Sequence, residues 1–265
     1  MPTAEIKEKQ GLQPAQDQEK GSLMKERVMG MVLSATTIGE YDKRVVLLTK
    51  ERGRISAFAK GARRPKSPLS ACTEPFTFGE FYVYRGRDSY NIEQVEVKNY
   101  FPELRKDLDL LYQAMYFCEV AEYFTREGMD AADELNLLYV SLRGLMVPSI
   151  PRSLVRYIFE FRMLAIEGEA PRIFSCTKCG KEKGLHHFFA GEAGIVCDDC
   201  YSGKGGIAIS ETATYTLQRI VSSPLNKLYT FTVSEGVLRE VRQVVRTYFD
   251  AHTDKKFRCA EFFTS

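Results

Sequence analysis

Two Cys-x-x-Cys pairs, Cys176/Cys179 and Cys197/Cys200, stand seventeen residues apart in the stretch CTKCGKEKGLHHFFAGEAGIVCDDC. Two residues between thiolates let one short turn aim both sulfurs at a single ion. The intervening loop then folds back to deliver the second pair, so the spacing predicts a four-thiolate zinc site. His187 to Phe189 and Ile195 to Val196 read as two short strands joined by the turn Ala190 to Gly194. A ribbon this small has too few apolar side chains to fold alone, and the ion would supply its stability. Four sulfurs close the coordination shell, whereas a catalytic zinc keeps a position open and usually takes His among its ligands, so the expected role is structural. His186 or His187 as a replacement ligand is the alternative; both are expected instead as partly exposed strand residues.

A second chemical signal lies upstream. Lys43, Arg44, Lys50, Arg52, Arg54, Lys60, Arg63, Arg64 and Lys66 are opposed over that interval only by Glu51, an excess hidden by a formal net charge of +2 for all 265 residues. Gly61, Pro65 and Pro68 mark AKGARRPKSPLS as a loop, expected to be flexible. Lys43, Arg44, Arg52, Arg54, Lys60, Arg63, Arg64 and Lys66 are therefore the candidate nucleic-acid contacts. Tyr82, Tyr84, Tyr90 or Phe58 could supply stacking faces. Arg239, Arg242 and Arg246, three and four apart, form a weaker row expected to be a solvated helix face.

Little else points to catalysis. The chain has only three histidines and lacks phosphate-loop, nucleophile-elbow and zinc-protease signatures. Asp107 and Asp109 sit in a helical pattern, where charges two apart do not face each other. Asp198 and Asp199 lie between metal ligands and are expected to be solvated. A non-enzymatic protein is the expectation, with a zinc hydrolase and a protein-contact adaptor as the competing classes.

The elements that must position these groups follow from periodicity. Residues 1–23 are rich in Gln, Glu and Lys and poor in aliphatics, and are expected to be a disordered extension. From Arg27 to Lys98 the pattern is that of five short strands: Arg27 to Ser34, Arg44 to Thr49, Ile55 to Ala59 after a turn at Gly53, a strand with Phe76, Phe78, Glu80, Tyr82 and Tyr84 on one face, and Tyr90 to Val97. Such a run suggests a small closed or partly closed β-barrel. Leu104, Leu108, Leu111 and Met115 then switch to helical spacing. Helices follow from Ala131 to about Met146, from an N-cap at Ser153, from Ser210-Glu211 and from Ser234-Glu235. The boundaries expected are 24–99 for the barrel and 100–265 for a helical domain, with a metal-binding segment at 172–205 inserted in the latter. The chain is thus α+β and multidomain. Cys72, Cys118 and Cys259 read as buried thiols, the paired cysteines suit a reducing compartment, and no stretch is apolar enough to cross a membrane, which makes a cytoplasmic location the default.

The run GEYDKRVVLLTKERGRISAFAKGARRPKSPLSACTEPFTFGEFYVYRGR, the helix FPELRKDLDLLYQAMYFCEVAEYFT and the cysteine pairs together resemble the RecO family of bacterial DNA repair proteins. The similarity runs from about Met24 to Phe249, with Gly53 to Ser67 its most specific element. The resemblance implies an N-terminal OB-fold, a helical C-terminal domain and a zinc-binding segment within it. It also implies a non-enzymatic recombination mediator of the RecF pathway that binds single- and double-stranded DNA, anneals complementary strands, and acts with RecR to load RecA onto DNA coated by the single-strand-binding protein SSB, whose acidic tail it would dock. A nucleoid-associated cytoplasmic protein is the corresponding expectation.

Overall fold

The computed structural model describes residues 25–86 and 89–262. The expected N-terminal extension and part of the turn after Arg85 lie outside the described residues. The apolar run from Val28 to Leu33, extended by residues 34–38 (SATTI), carries the first strand, β1 (Lys25–Ile38), well past its expected ends, and β2 (Asp42–Thr49) and β3 (Gly53–Ala59) return from it as antiparallel hairpins. After a one-turn helix α1 (Leu69–Cys72) come β4 (Phe78–Arg85) and β5 (Tyr90–Asn99). The sheet closes in the order β1-β2-β3-β5-β4, with β4 pairing back onto β1 and a short parallel contact of Ala57 and Phe58 with Tyr90 and Asn91 sealing β3 to β5. Val28, Val45, Leu47, Ile55, Phe81 and Val83 fill the interior. Closure removes the unpaired edges an open sheet would expose.

The helical part follows: α2 (Leu108–Phe124), α3 (Ala132–Leu145), α4 (Arg152–Ile166), α5 (Glu211–Ser222) and α6 (Glu235–Ala251). Asp107, Ser210 and Ser234 cap α2, α5 and α6 by accepting main-chain N–H bonds of the first turn. Ser153 does not cap α4: the helix begins one residue earlier, behind Pro151, whose fixed φ suits a helix start. Helix α4 is buried on nearly every side and forms the centre of the bundle. A three-stranded sheet, β6 (Leu185–Phe189), β7 (Gly194–Cys197) and β8 (Ile207–Ala208), is inserted between α4 and α5.

Two expected faces are corrected. Helix α2 is apolar all round, so Leu108 and Met115 look inward on spacing alone, yet Leu108 is 69% exposed and Met115 is exposed as well; Ala114, Phe117, Cys118 and Ala121 face the core instead. Phe76 precedes its expected strand, at φ 70°, and is buried between barrel and helices.

The barrel interior is a core of its own, while one outer face of the barrel packs into the core of the helices. Residue Leu33 is the extra residue of a β-bulge in β1, between the pairs Val32/Leu47 and Ser34/Val46. Val32 points into the barrel and Leu33 joins Met31, Leu48 and Phe76 in the core of the helices; the bulge then shifts the parity, so that Ala35, and not Ser34, is the next residue packed on the barrel interior. The tip of the β2–β3 hairpin is also bonded to the α2–α3 connection. Arg54 N–H donates to the Arg126 carbonyl (3.2 Å), Gly128 N–H to that of Arg52 (3.0 Å) and Ala131 N–H to that of Lys50 (3.0 Å).

Candidate nucleic-acid interface and metal centre

The loop that leaves β3 is ordered rather than flexible. Gly61, at φ 68°, turns the chain so that its N–H donates to Asp42 Oδ1 at 2.7 Å, and the Arg63 N–H donates to the Tyr41 carbonyl at 2.9 Å. The loop thus runs beside the β1–β2 turn, where Gly39 supplies a second positive φ of 57°. The Arg63 guanidinium donates to the Glu40 carbonyl at 3.0 Å, and that of Arg64 lies over the Tyr41 ring, 5.5 Å from its centroid.

These bonds sort the eight candidate contacts. Arg44, Lys60, Arg63, Arg64 and Lys66 are exposed and gather at this end of the barrel; Arg44 is held along β2 by a 2.9 Å bond from Nε to Ser56 Oγ, directly opposite Phe58. Lys43 does not join them. It is only 9% exposed, and its ammonium donates to Glu74 Oε1 (2.6 Å) and the Ser70 carbonyl (3.2 Å), pinning the far end of the loop. Arg52 is taken by a bidentate pair with Glu26 (2.8 and 3.0 Å), and Arg54 by the Glu122 carbonyl of α2 at 2.7 Å. Among the expected stacking faces, Tyr90 is withdrawn, being 3% exposed inside the barrel. Phe58, Tyr82 and Tyr84 are half-buried on the outside, and the Tyr82 hydroxyl is taken by Glu96, beside a Glu80 that pairs with Arg27 and Lys98.

The cysteines come together as their spacing requires. The four Sγ atoms of Cys176, Cys179, Cys197 and Cys200 lie within 4.8 Å of one another, with Cys179 and Cys197 at 3.6 Å. A tetrahedron with Zn–S bonds of about 2.3 Å has edges of roughly 3.8 Å, so this cluster could hold a metal ion and its geometry is compatible with zinc. The N–H groups of Lys178 and Cys197 both point at Cys176 Sγ from 3.4 Å. Burial works against ionisation of that thiol, but these donors and the Cys179 N–H outweigh it and bring its pKa down to about 6. Such a sulfur is suited to bind a cation.

Neither histidine is part of the cluster. His186 Nδ1 and His187 Nε2 lie 3.0 and 3.1 Å from the Asp198 carboxylate, and His187 stacks on Tyr201. Asp198 is therefore engaged rather than merely solvated, and Asp199 pairs with Lys181 at 2.5 Å. The segment is anchored to the bundle by Thr214 Oγ1 donating to the Leu185 carbonyl (2.7 Å), Gln218 Nε2 to that of Ile173 (2.8 Å), and Phe188 packed on Tyr248.

A third basic region escaped the sequence reading in part. Arg239, Arg242 and Arg246 border a groove of about 500 Å³ on α6. Beside it a cleft of about 230 Å³ has Lys255, Lys256 and the Glu160-paired Arg156 around Tyr116, Phe249 and Phe257, with Asp250 and Glu261 also in its lining. The run Lys255-Lys256 was visible in the sequence, but only the fold sets it against an aromatic floor.

Comparison with known proteins matches these parts to one family. The family model for the N-terminal part of recombination protein O matches residues 24–101, and that for its C-terminal part matches residues 105–259. A protein of Acetivibrio thermocellus named DNA repair protein RecO is 34% identical over 239 residues, covering 89% of this chain and 95% of that protein. Proteins with the same name from Alkaliphilus metalliredigens and Bacillus pumilus are 30% identical over 228 and 234 residues, covering 85% and 88% of this chain and 93% and 91% of their own lengths. The closed barrel, the helical bundle and the cysteine cluster thus sit in a chain that belongs to the RecO family.

Proposed function

We propose that this protein is a non-enzymatic recombination mediator in DNA repair, binding DNA through the cationic end of its barrel. The observation that carries this reading is the loop of Lys60 to Lys66, which hydrogen bonds hold against the β1–β2 turn so that Arg44, Lys60, Arg63, Arg64 and Lys66 face solvent together. The strand order and the parallel β3–β5 seal fit an OB-fold, in which nucleic acid lies across β2–β3 and the first inter-strand loop. Those are the places where Arg44, Phe58 and the β1–β2 turn stand.

Contacts of this kind neutralise phosphates without reading bases. A strand held by its backbone keeps its pairing edges available, so a second, complementary strand can pair with it on the same protein. Annealing then needs no reaction centre. The family resemblance supplies the rest of the proposal: binding of single- and double-stranded DNA, and cooperation with RecR to load RecA onto DNA coated by SSB. In the cleft beside α6, Lys255 and Lys256 stand over Phe249 and Phe257, with Arg156 already paired to Glu160 and with Asp250 and Glu261 also in the lining; Lys255 and Lys256 are the cations proposed to meet the acidic, apolar tail of SSB. The cysteine cluster is proposed to hold one structural zinc, since four thiols would fill its shell and leave no position for substrate.

The test is a chain in which Arg63, Arg64 and Lys66 are all changed to Glu, shown to be folded, and titrated with single-stranded DNA over a range of salt. Binding weaker by about 100-fold or more, with a flatter salt dependence, is expected. Binding and annealing equal to the unchanged protein at the same salt would remove the loop from the interface. Normal affinity for a protein partner with no DNA binding in either chain would select the adaptor reading.

A further inference from the structure

Tyr41 is an exposed aromatic at the centre of the cationic end of the barrel, and neither the spacing of charges nor the barrel alternation singles it out. The residue is 41% exposed. Its surroundings are nonetheless fixed: its carbonyl accepts the Arg63 N–H at 2.9 Å, the next residue, Asp42, takes the Gly61 N–H at 2.7 Å, and the Arg64 guanidinium lies over its ring. A single exposed aromatic is unremarkable on most surfaces. This one is held by the same bonds that arrange Arg63 and Arg64, with Lys60 and Lys66 on the same loop.

Cations alone attract the phosphates of single and double strands alike. Telling the two apart requires a surface that accepts the face of a base, which a duplex hides in its own stack and a single strand offers freely. The other outward aromatics serve less well. Phe58, Tyr82 and Tyr84 are half-buried along the strands of the barrel wall, whereas the Tyr41 ring stays exposed beside Arg64, with its hydroxyl bonded to Glu40. We propose that Tyr41, oriented by Arg64, is the platform on which an unpaired nucleobase stacks, and that it gives this surface a preference for single-stranded DNA. The proposal rests on the basic loop being the DNA-binding surface. Arg64 then acts twice, as a phosphate-seeking charge and as the group that holds the ring in position.

The full chain is titrated by fluorescence anisotropy with three probes of equal length: oligo(dT), a duplex, and an abasic deoxyribose-phosphate oligomer. Tyr41→Ala is expected to weaken oligo(dT) binding by about 5- to 100-fold at every salt concentration. The slope of log affinity against log salt stays unchanged, because no charge is removed. Duplex and abasic affinities stay within about twofold, so the preference for the base-bearing single strand disappears, and Tyr41→Phe restores it. Equal loss on all three probes would show a loop that has come apart, and overturns the proposal. Undiminished oligo(dT) binding by Tyr41→Ala, with the Arg63/Arg64/Lys66 charge reversal still impaired, leaves the surface correct and the platform wrong. Oligo(dT) binding that survives the charge reversal overturns the loop reading and the platform with it.

Discussion

Gly53 and Arg126 meet main chain to main chain: a β-carbon at Gly53 would run into the Arg126 carbonyl oxygen and reach within 2.7 Å of Met129 Cγ. Gly53 also holds φ 64°, the left-handed region that side chains resist. The turn expected here is thus a turn and a docking point at once. Gly53→Ala should cost about 2–4 kcal/mol of stability, read by denaturant unfolding of the full chain, because both strain and displacement of the Arg126 carbonyl act together. A loss under about 1 kcal/mol would mean that the hairpin tip yields easily and the contact is incidental.

Lys43 and Lys60 make a paired test of burial against exposure. Lys43→Met leaves Glu74 and the Ser70 carbonyl without their cation, and should lower stability by about 1–3 kcal/mol. The salt dependence of DNA binding should hardly change. Lys60→Ala should do the reverse, leaving the unfolding midpoint in place and flattening the salt slope by close to one charge. Equal slopes for the two variants would place Lys43 among the phosphate contacts after all.

For the cysteine cluster, elemental analysis is expected to give one zinc per chain. Cys197→Ser should lose that ion and lower the thermal midpoint by about 5–10 °C, corresponding to a few kcal/mol in a chain of this size. DNA affinity per folded molecule should be retained. If the folded, zinc-free variant keeps its midpoint and loses DNA binding instead, the ribbon belongs to the interface.

Glu167, the residue that follows α4, is a half-buried carboxyl. Burial first, and then the negative charge of Glu134 bonded to it, raise its pKa to about 7, with Arg126 pulling the other way. Glu134 is itself shifted upward by burial and by Asp133 and Asp130. A carboxyl whose folded pKa lies above its unfolded value of about 4.5 favours the fold while protonated. Stability should therefore fall as pH rises from about 4.5 through about 7 and level off above that. Glu167→Gln should flatten this window and raise the thermal midpoint at pH 8 by about 2–4 °C. An unchanged pH profile would show that other groups govern it.

The barrel, the caps at Ser210 and Ser234 and the cysteine ribbon were legible because each leaves a short-range mark: alternation, an N-terminal hydroxyl, a fixed spacing. The sorting of the basic cluster was partly legible too. Lys43 shares strand parity with Val45 and Leu47, which places it inward, while Arg44 shares parity with Val46 and points out. The fates of Arg52 and Arg54 were not legible, because Glu26 and Glu122 reach them only through the closed barrel and the docked helix. Helix α2 misled because apolar residues on every side leave periodicity nothing to distinguish. Tyr41 carries no pattern at all; it matters through the loop that folds over it.

The barrel face packed into the core of the helices has a consequence for building hybrids of such proteins. The family models change over between residues 101 and 105, yet Leu33, Leu48 and Phe76 pack across that line and the hairpin tip bonds residues 126–131 beyond it. A barrel transplanted from one relative to another at residue 103 would arrive without the surface it was shaped against. Exchange of the barrel should succeed only when 126–131 and the inward face of α2 travel with it, so the unit that can be swapped is discontinuous in the chain.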